Sequence, residues 1–201
     1  MSAVDPRLVA SMRRQLASRP AGAARVGWKY GSGDGERIGD EIAVGHLTSA
    51  TTLQGGGTYR GGGRDLHADA ELAVEVGEGG TIARYAAALE IVDLAGDEPS
   101  DEVVATNVWH RAVAFGRFVG TRPRDLEGAL VVNRERRDAG PAPGDVDDRL
   151  AAVARVLEAV GERLRPGDRL ITGLIVNTPV APGDEVVADL GELGSVGLRI
   201  A

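Results

Sequence analysis

The chain has 201 residues, which is enough for one domain with a buried core. Its net charge of -7 argues against nucleic acid or an anionic membrane surface as the main partner. The absence of cysteine excludes disulfides, thiolate metal sites and cysteine nucleophiles. No run approaches the roughly 20 apolar residues of a membrane-spanning helix, and the first residues lack the apolar core of a signal peptide. We therefore expect a cytoplasmic protein.

Two segments have the apolar spacing of helices. Residues 5–19 follow an Asp5-Pro6 pair, which is typical of a helix start. Residues 145–164 carry a continuous apolar stripe and form the clearest helix of the chain. The segment 101–118 is consistent with a further helix or a loop. Residues 134–144 are polar and contain two prolines, so we expect a loop there.

Strand signals dominate the rest of the chain. The segment 67–76 alternates apolar and polar residues, and 85–94 is predicted to be a strand or a helix passing into one. Short strands bounded by glycine or turn signals are predicted at 25–30, 42–47, 129–133, 169–172, 185–190 and 195–200. Few helices and many short strands predict a β-rich α+β fold. We expect one domain over 1–201.

Three carboxylates give the best indication of function. Asp69 and Glu71 are two residues apart on a predicted strand, so their side chains point to the same side of it. Glu90 occupies the next predicted strand, which can lie beside the first. Three converging acids repel one another unless a cation joins them, and such hard oxygen ligands suit Mg²⁺ or Mn²⁺. The alternative is that these acids form a solvated face, which is common for surface strands.

Four segments in register resemble a known family. They are WKYG at 28–31, DAELAVEVG at 69–77, ALEIVD at 88–93 and a tail with two PGD turns after residue 163. Together they resemble the fumarylacetoacetate hydrolase superfamily, in the branch of 2-keto-4-pentenoate hydratases and 2-oxo-dicarboxylate decarboxylases. The resemblance covers roughly residues 25–201. It implies a mixed β-roll with a few flanking helices, and a shortened N-terminal helical region over about 1–24.

The resemblance also implies roles for particular residues. The family's metal ligands fall on Asp69, Glu71 and Glu90, with aspartate where the family usually has glutamate, and its site lysine falls on Lys29, the only lysine of the chain. A family Ala-Asp-Asn-x-Ser segment reads Ala-Thr-Asn-Val-Trp at 105–109 here. Its Asn107 is kept, and the Asp and Ser are replaced. Asn107 and Trp109, with the neighbouring His110, are therefore expected to contact substrate.

The implied activity is that of a divalent-metal-dependent lyase on a small 2-oxo acid, proceeding through an enolate. A hydratase-like reaction is expected. The alternatives are decarboxylation or C–C bond hydrolysis, including such a reaction in a specialised biosynthetic pathway. Lys29 is expected to bind or polarise the substrate. The reaction also needs a general acid or base. His67, which lies on the predicted face of Asp69, and His110 are both candidates, and His46 is a weaker third. The replaced residues leave a second alternative, a non-catalytic small-molecule-binding protein. The family's members usually form dimers or larger assemblies, so a homo-oligomer is expected.

Overall fold

The computed structural model describes residues 4–31, 33 and 35–201, and it is dominated by β-strands. The helices are α1 (Pro6–Ala17), α2 (Ser100–Ala105) and α3 (Val146–Ala159), and two short 3-10 turns span Glu78–Gly80 and Gly191–Leu193. The strands are β1 (Arg25–Gly31), β2 (Ala43–Thr48), β3 (Thr52–Leu53), β4 (Thr58–Tyr59), β5 (Leu66–Val76), β6 (Ile82–Asp93), β7 (His110–Phe115), β8 (Glu127–Val132), β9 (Glu135–Pro141), β10 (Arg169–Pro179), β11 (Glu185–Asp189) and β12 (Ser195–Ile200). Among the described helices, none has the length and apolar character needed to cross a bilayer.

The strands form two mixed sheets that pack on each other. The larger sheet has seven strands in the order β2-β1-β10-β5-β6-β7-β3, and the smaller has five in the order β4-β12-β11-β8-β9. Strands β5, β6 and β10 contact strands of the smaller sheet, and the apolar side chains between them form the main core. The β-rich α+β architecture expected from the sequence is therefore confirmed.

Most predicted elements are present with small shifts at their ends. Helix α1 begins after Asp5, whose carboxylate accepts a hydrogen bond from the Arg7 N–H at 2.8 Å, with Pro6 in the first turn. Helix α3 ends earlier than predicted, at Ala159, and Gly161 beyond it has a φ of 82°. The segment 85–94 is part of strand β6, as expected.

Three predictions of secondary structure were wrong. The polar segment 134–144 is not a loop, because most of it forms edge strand β9, which pairs with β8 and exposes most of its side chains. A polar sequence suits a strand that is solvated at the sheet edge. Strand β10 extends to Pro179, beyond the predicted end at Thr172. The segment 101–118 contains strand β7 as well as the short helix α2.

A buried glutamine ties α1 to the strands and to α2. The Gln15 Nε2 donates to the backbone oxygens of Val44 at 3.0 Å and Val104 at 2.6 Å, and its Oε1 lies 3.3 Å from His46 Nδ1. Gln15 is completely buried. Its amide therefore satisfies acceptors from two other elements that would otherwise be enclosed without a donor.

Gln15→Leu should lower the free energy of unfolding by about 1–3 kcal/mol, because it leaves these buried polar groups unpaired. Chemical denaturation measures the change. Gln54→Leu is the matched control, since Gln54 is exposed, and it should change stability by less than about 0.5 kcal/mol. Equal stability of the two variants would contradict the proposed role of Gln15.

Candidate metal centre

The three predicted acids come together on adjacent strands of the larger sheet. Asp69 of β5 lies directly opposite Glu90 of β6 in the antiparallel register, and Glu71 follows on the same side of β5. One oxygen from each carboxylate lies within 4.8 Å of the others. All three side chains are buried, with Glu90 completely enclosed. The predicted convergence is therefore present in the structure.

Lys29 supplies a positive charge at the base of this cluster. Its Nζ lies 2.9 Å from Glu90 Oε2 and donates to the backbone oxygen of Val108 at 2.9 Å. The close approach of Gly45 on β2 makes room for it, because a Cβ at Gly45 would lie 2.5 Å from Lys29 Cγ. Lys29 is itself only 3% exposed, so its side chain is held in one direction by packing and two polar contacts.

Hydrogen bonds from neighbouring elements fix the acids. His110 Nδ1 lies 2.7 Å from Glu90 Oε1, and its Nε2 lies 3.0 Å from Thr51 Oγ1. The backbone N–H of Gly173 donates to Glu71 Oε2 at 2.8 Å. The Asn177 amide donates to Asp69. Each carboxylate thus has a defined orientation before any ligand is bound.

The N–H that holds Glu71 comes from an irregularity in β10. The pairing of β10 with β5 shifts between Ile171 and Leu174, and Gly173 in this bulge has a φ of 104°. Arg149 of α3 donates to the Thr172 oxygen at 2.7 Å and lies over the Tyr30 ring at 4.9 Å. The bulge therefore directs the Gly173 N–H toward the acids, and Arg149 stabilises it by its hydrogen bond to Thr172, the preceding residue.

The charges of the cluster do not balance. Burial, followed by the charge of Glu90, raises the pKa of Asp69 to about 7 against the hydrogen bond from Asn177. Burial and then Glu90 also raise the pKa of Glu71 well above its usual range, against the charge of Lys29. Burial alone would raise the pKa of Glu90, but Lys29 and His110 outweigh it and lower the pKa. Lys29 and ionised Glu90 therefore form a pair, and two further acids remain without a cation.

The donor set fits a hard divalent cation. All three converging ligands are carboxylate oxygens, which is the chemistry that Mg²⁺ and Mn²⁺ prefer. Glu90 Oε2 is buried and accepts no hydrogen bond of acceptable geometry among the described residues, although it lies beside Lys29 Nζ. A cation would satisfy this oxygen and neutralise the excess negative charge. Asp69, Glu71 and Glu90 are therefore the residues that can hold a metal.

Asp69 and Glu71 line a cavity of about 410 Å³, whereas the fully buried Glu90 is outside its lining. Its lining includes several groups that the sequence did not single out: Tyr30, Gly33, Glu36, Val92, Leu94, Arg149, Gly173, Leu174 and Asn177. A longer predicted strand β10 would have identified Asn177, because pairing that strand with β5 places Asn177 opposite Asp69. Glu36 comes from the glycine-rich loop, where no periodic pattern indicates a direction. Arg149 belongs to the polar side of an amphipathic helix, and residues on that side ordinarily face solvent.

Of the three residues expected to contact substrate, one lines the cavity and two do not. Trp109 lines the cavity. Asn107 is outside the lining, because its amide bonds the backbone N–H and oxygen of His46 at 2.7 and 3.1 Å. His110 lies behind Glu90 and is also outside the lining. His67 is half-buried, with its Nδ1 2.6 Å from Asn177 Oδ1, so it reaches Asp69 only through that amide.

The turn that carries Trp109 is strained. Asn107, Val108 and Trp109 have φ values of 75°, 55° and 58°, a left-handed run that is costly for residues with side chains. The double contact of Asn107 with His46 holds this run in place. The turn directs the Val108 oxygen at Lys29 and the Trp109 ring at the cavity. The replaced positions of the 105–109 segment, Thr106 and Trp109, therefore lie beside and within a turn that shapes the cavity wall.

Glu71→Gln and Glu90→Gln should each weaken Mg²⁺ and Mn²⁺ binding by at least about tenfold, because a neutral amide oxygen replaces a charged ligand. Titration calorimetry measures the dissociation constants. Glu75→Gln is the matched control: Glu75 is on the same strand but pairs with Arg84, and its loss should leave affinity unchanged. Equal affinities in all four proteins would place the metal elsewhere.

Metal affinity should rise with pH. The pKa of Asp69 is raised to about 7, so below that pH a proton occupies a carboxylate that the metal needs in its ionised form. One such group predicts a roughly tenfold gain in affinity between about pH 6 and about pH 8, with proton release on binding. Calorimetry in buffers of different ionisation enthalpy measures both. In Asp69→Asn the dependence should be shallower, and affinity that falls with rising pH would contradict the assignment.

No protein-family model and no curated protein sequence matches this chain. Solved structures do. The 4-oxalocrotonate decarboxylase of Pseudomonas putida G7, complexed with magnesium and adipate, matches with a TM-score of 0.80 and 22% identity over 96% of this chain and 86% of that one. The same enzyme has been solved with calcium and acetate, and matches with a TM-score of 0.79, at 23% identity over the same shares of the two chains.

A fumarylpyruvate hydrolase from Pseudomonas aeruginosa, in complex with Mn²⁺ and pyruvate, matches with a TM-score of 0.63 and 18% identity over 88% of this chain and 89% of its own. A fumarylacetoacetate hydrolase family protein from Yersinia pestis CO92 matches with a TM-score of 0.61 and 19% identity, over 89% and 94% of the two chains. At these identities the likeness concerns the fold, and it confirms the architecture that the sequence motifs implied. The chain has the fold of the fumarylacetoacetate hydrolase superfamily.

Proposed function

We propose that the protein is a member of this superfamily and a divalent-metal-dependent enzyme that acts on a small 2-oxo acid through a stabilised enolate. The observation that carries the proposal is the buried, converging set of Asp69, Glu71 and Glu90, of which Asp69 and Glu71 line a cavity. Burying three acids around one ammonium is costly. Such an arrangement is common where function requires perturbed groups in a cleft.

The residues around the set suit an anionic substrate. A divalent cation, when bound, would polarise the oxygens of a 2-oxo acid and stabilise negative charge that develops on them. Burial would lower the pKa of Lys29, but the facing carboxylates, led by Glu90, raise it above its ordinary value. Lys29 therefore remains an ammonium, and it contributes a fixed positive charge rather than a base. Arg149, whose Nε also pairs with Asp145 at 2.9 Å, is the second cation in the cavity lining.

The walls favour a small organic acid. The cavity of about 410 Å³ lies at the lower end of the range for small-molecule sites. Val92, Leu94 and the Trp109 ring provide apolar surface beside the acids. The Trp109 Nε1 is buried and has no hydrogen-bond partner among the described residues.

We retain the hydratase-like reaction as the specific proposal. His67 remains a candidate for the proton-transfer chain, acting through Asn177. Asn107 and His110 are proposed to hold the Trp109 turn and Glu90, since neither lines the cavity. Decarboxylation of a 2-oxo acid is the second candidate, favoured by the fold likeness to a 4-oxalocrotonate decarboxylase. Both reactions pass through the same kind of enolate, so the metal and Lys29 serve either.

The test is turnover of a substrate panel with Mg²⁺ or Mn²⁺: 2-hydroxydienoates, 2-oxo-dicarboxylates including oxaloacetate, and acylpyruvates. Loss of a dienol absorbance without release of CO₂ indicates hydration, and CO₂ release indicates decarboxylation. Lys29→Met should lower kcat/KM by about 100-fold or more, because it removes a charge that faces the developing anion. Metal binding without turnover of any panel member would overturn the enzymatic proposal and favour a binding protein.

A further inference from the structure

Enolate chemistry needs a group that moves a proton at the substrate carbon, and the cavity offers few. Asp69 and Glu71 belong to the proposed metal ligands, and Lys29 is fixed between Glu90 and the Val108 oxygen. An arginine keeps its proton at any ordinary pH, which removes Arg149. His67 does not belong to the cavity lining. Among the described lining residues, Glu36 and Tyr30 remain.

Glu36 is placed apart from the metal ligands. It lies in the loop between β1 and β2 and lines the cavity with Lys29, Asp69 and Glu71. It is not in the group whose carboxylate oxygens converge within 4.8 Å. Its charge nevertheless reaches that group, because it contributes to the pKa shifts of both Lys29 and Asp69. Glu36 therefore shares the cavity with Asp69 and Glu71 without belonging to the converging group.

The Glu36 carboxylate is oriented but only partly used. Its Oε2 accepts the backbone N–H of Gly33 at 2.7 Å. Among the described residues, no arginine, lysine or histidine lies within ion-pairing distance of it. The same loop packs on the cavity wall, since a Cβ at Gly35 would lie 3.2 Å from Cη2 of Trp109. Glu36 is half-buried and lines the cavity, so its carboxylate is accessible both to a bound molecule and to water.

We propose that Glu36 is the general acid and base of this site, a role for which the sequence had indicated His67. The proposal rests on the proposed function above. The Glu36 carboxylate takes a proton from C3 of the 2-oxo acid, the C–H electron pair becomes the C2–C3 double bond, and the C2 carbonyl pair moves to its oxygen. The reverse step returns a proton from the carboxylic acid to carbon. Between the two steps the acid proton exchanges with water.

The experiment follows this exchange directly. Pyruvate and 2-oxobutyrate are incubated in D₂O with the protein and Mg²⁺, and loss of the C3 proton signal is measured by NMR against Mg²⁺ alone. Glu36→Gln should lower the exchange rate by about 100-fold or more, because an amide cannot accept the proton. Glu78→Gln is the matched control, since Glu78 is exposed in the turn after β5, and it should exchange at the wild-type rate.

Two further readouts separate the explanations. The Mn²⁺ dissociation constant and thermal midpoint of Glu36→Gln should match those of the wild type, and a weakened affinity would make Glu36 a metal ligand and overturn the proposal. Equal exchange in Glu36→Gln and wild type, or loss in Tyr30→Phe with retention in Glu36→Gln, also overturns it. Absence of exchange in the wild type overturns the proposed function itself, and this role with it.

Discussion

Burial of like charges is the constraint on which the rest of the structure depends. Three carboxylates and one ammonium lie in a region where each residue is less than 10% exposed. Removing such groups from water costs several kcal/mol for each unpaired charge. The fold meets this cost with specific partners: a histidine and the ammonium for Glu90, a backbone N–H for Glu71 and an amide for Asp69. What remains unbalanced is the negative charge that a cation would neutralise.

These partners come from parts of the chain that are far apart in sequence. Strands β5 and β6 supply the acids, β1 supplies the ammonium and β10 supplies the bulge. The left-handed turn after α2 supplies the backbone oxygen that accepts a hydrogen bond from Lys29. The two irregular backbone segments serve the site rather than the core. A regular strand at Gly173 and a relaxed turn at Val108 would direct neither polar group inward. Strain of this kind persists where the surrounding structure over-determines it.

The sequence was sufficient to predict that the three acids converge, and insufficient to predict what surrounds them. Asp69 and Glu71 were found because alternation on a strand fixes which side chains share a face, and Glu90 because its own strand signal adjoined theirs. The position of Glu36 could not be derived, since a glycine-rich loop has no period. Arg149 was missed because a polar residue on an amphipathic helix normally faces water. Asn177 was missed because Gly173 interrupts the pattern of β10, and a bulge has the same sequence signature as a strand end.

Lys29 has a consequence for the chemistry of the whole chain. It is the only lysine, and its side chain is enclosed beneath the acids. Its amine is also held as an ammonium by the facing carboxylates, and only the neutral amine is nucleophilic. Within this sequence, the folded protein therefore presents no reactive side-chain amine to acylating or cross-linking reagents. A lysine introduced on the surface would then be the one reactive side-chain amine of this sequence, so an amine-directed probe would label that position and leave the candidate metal centre untouched.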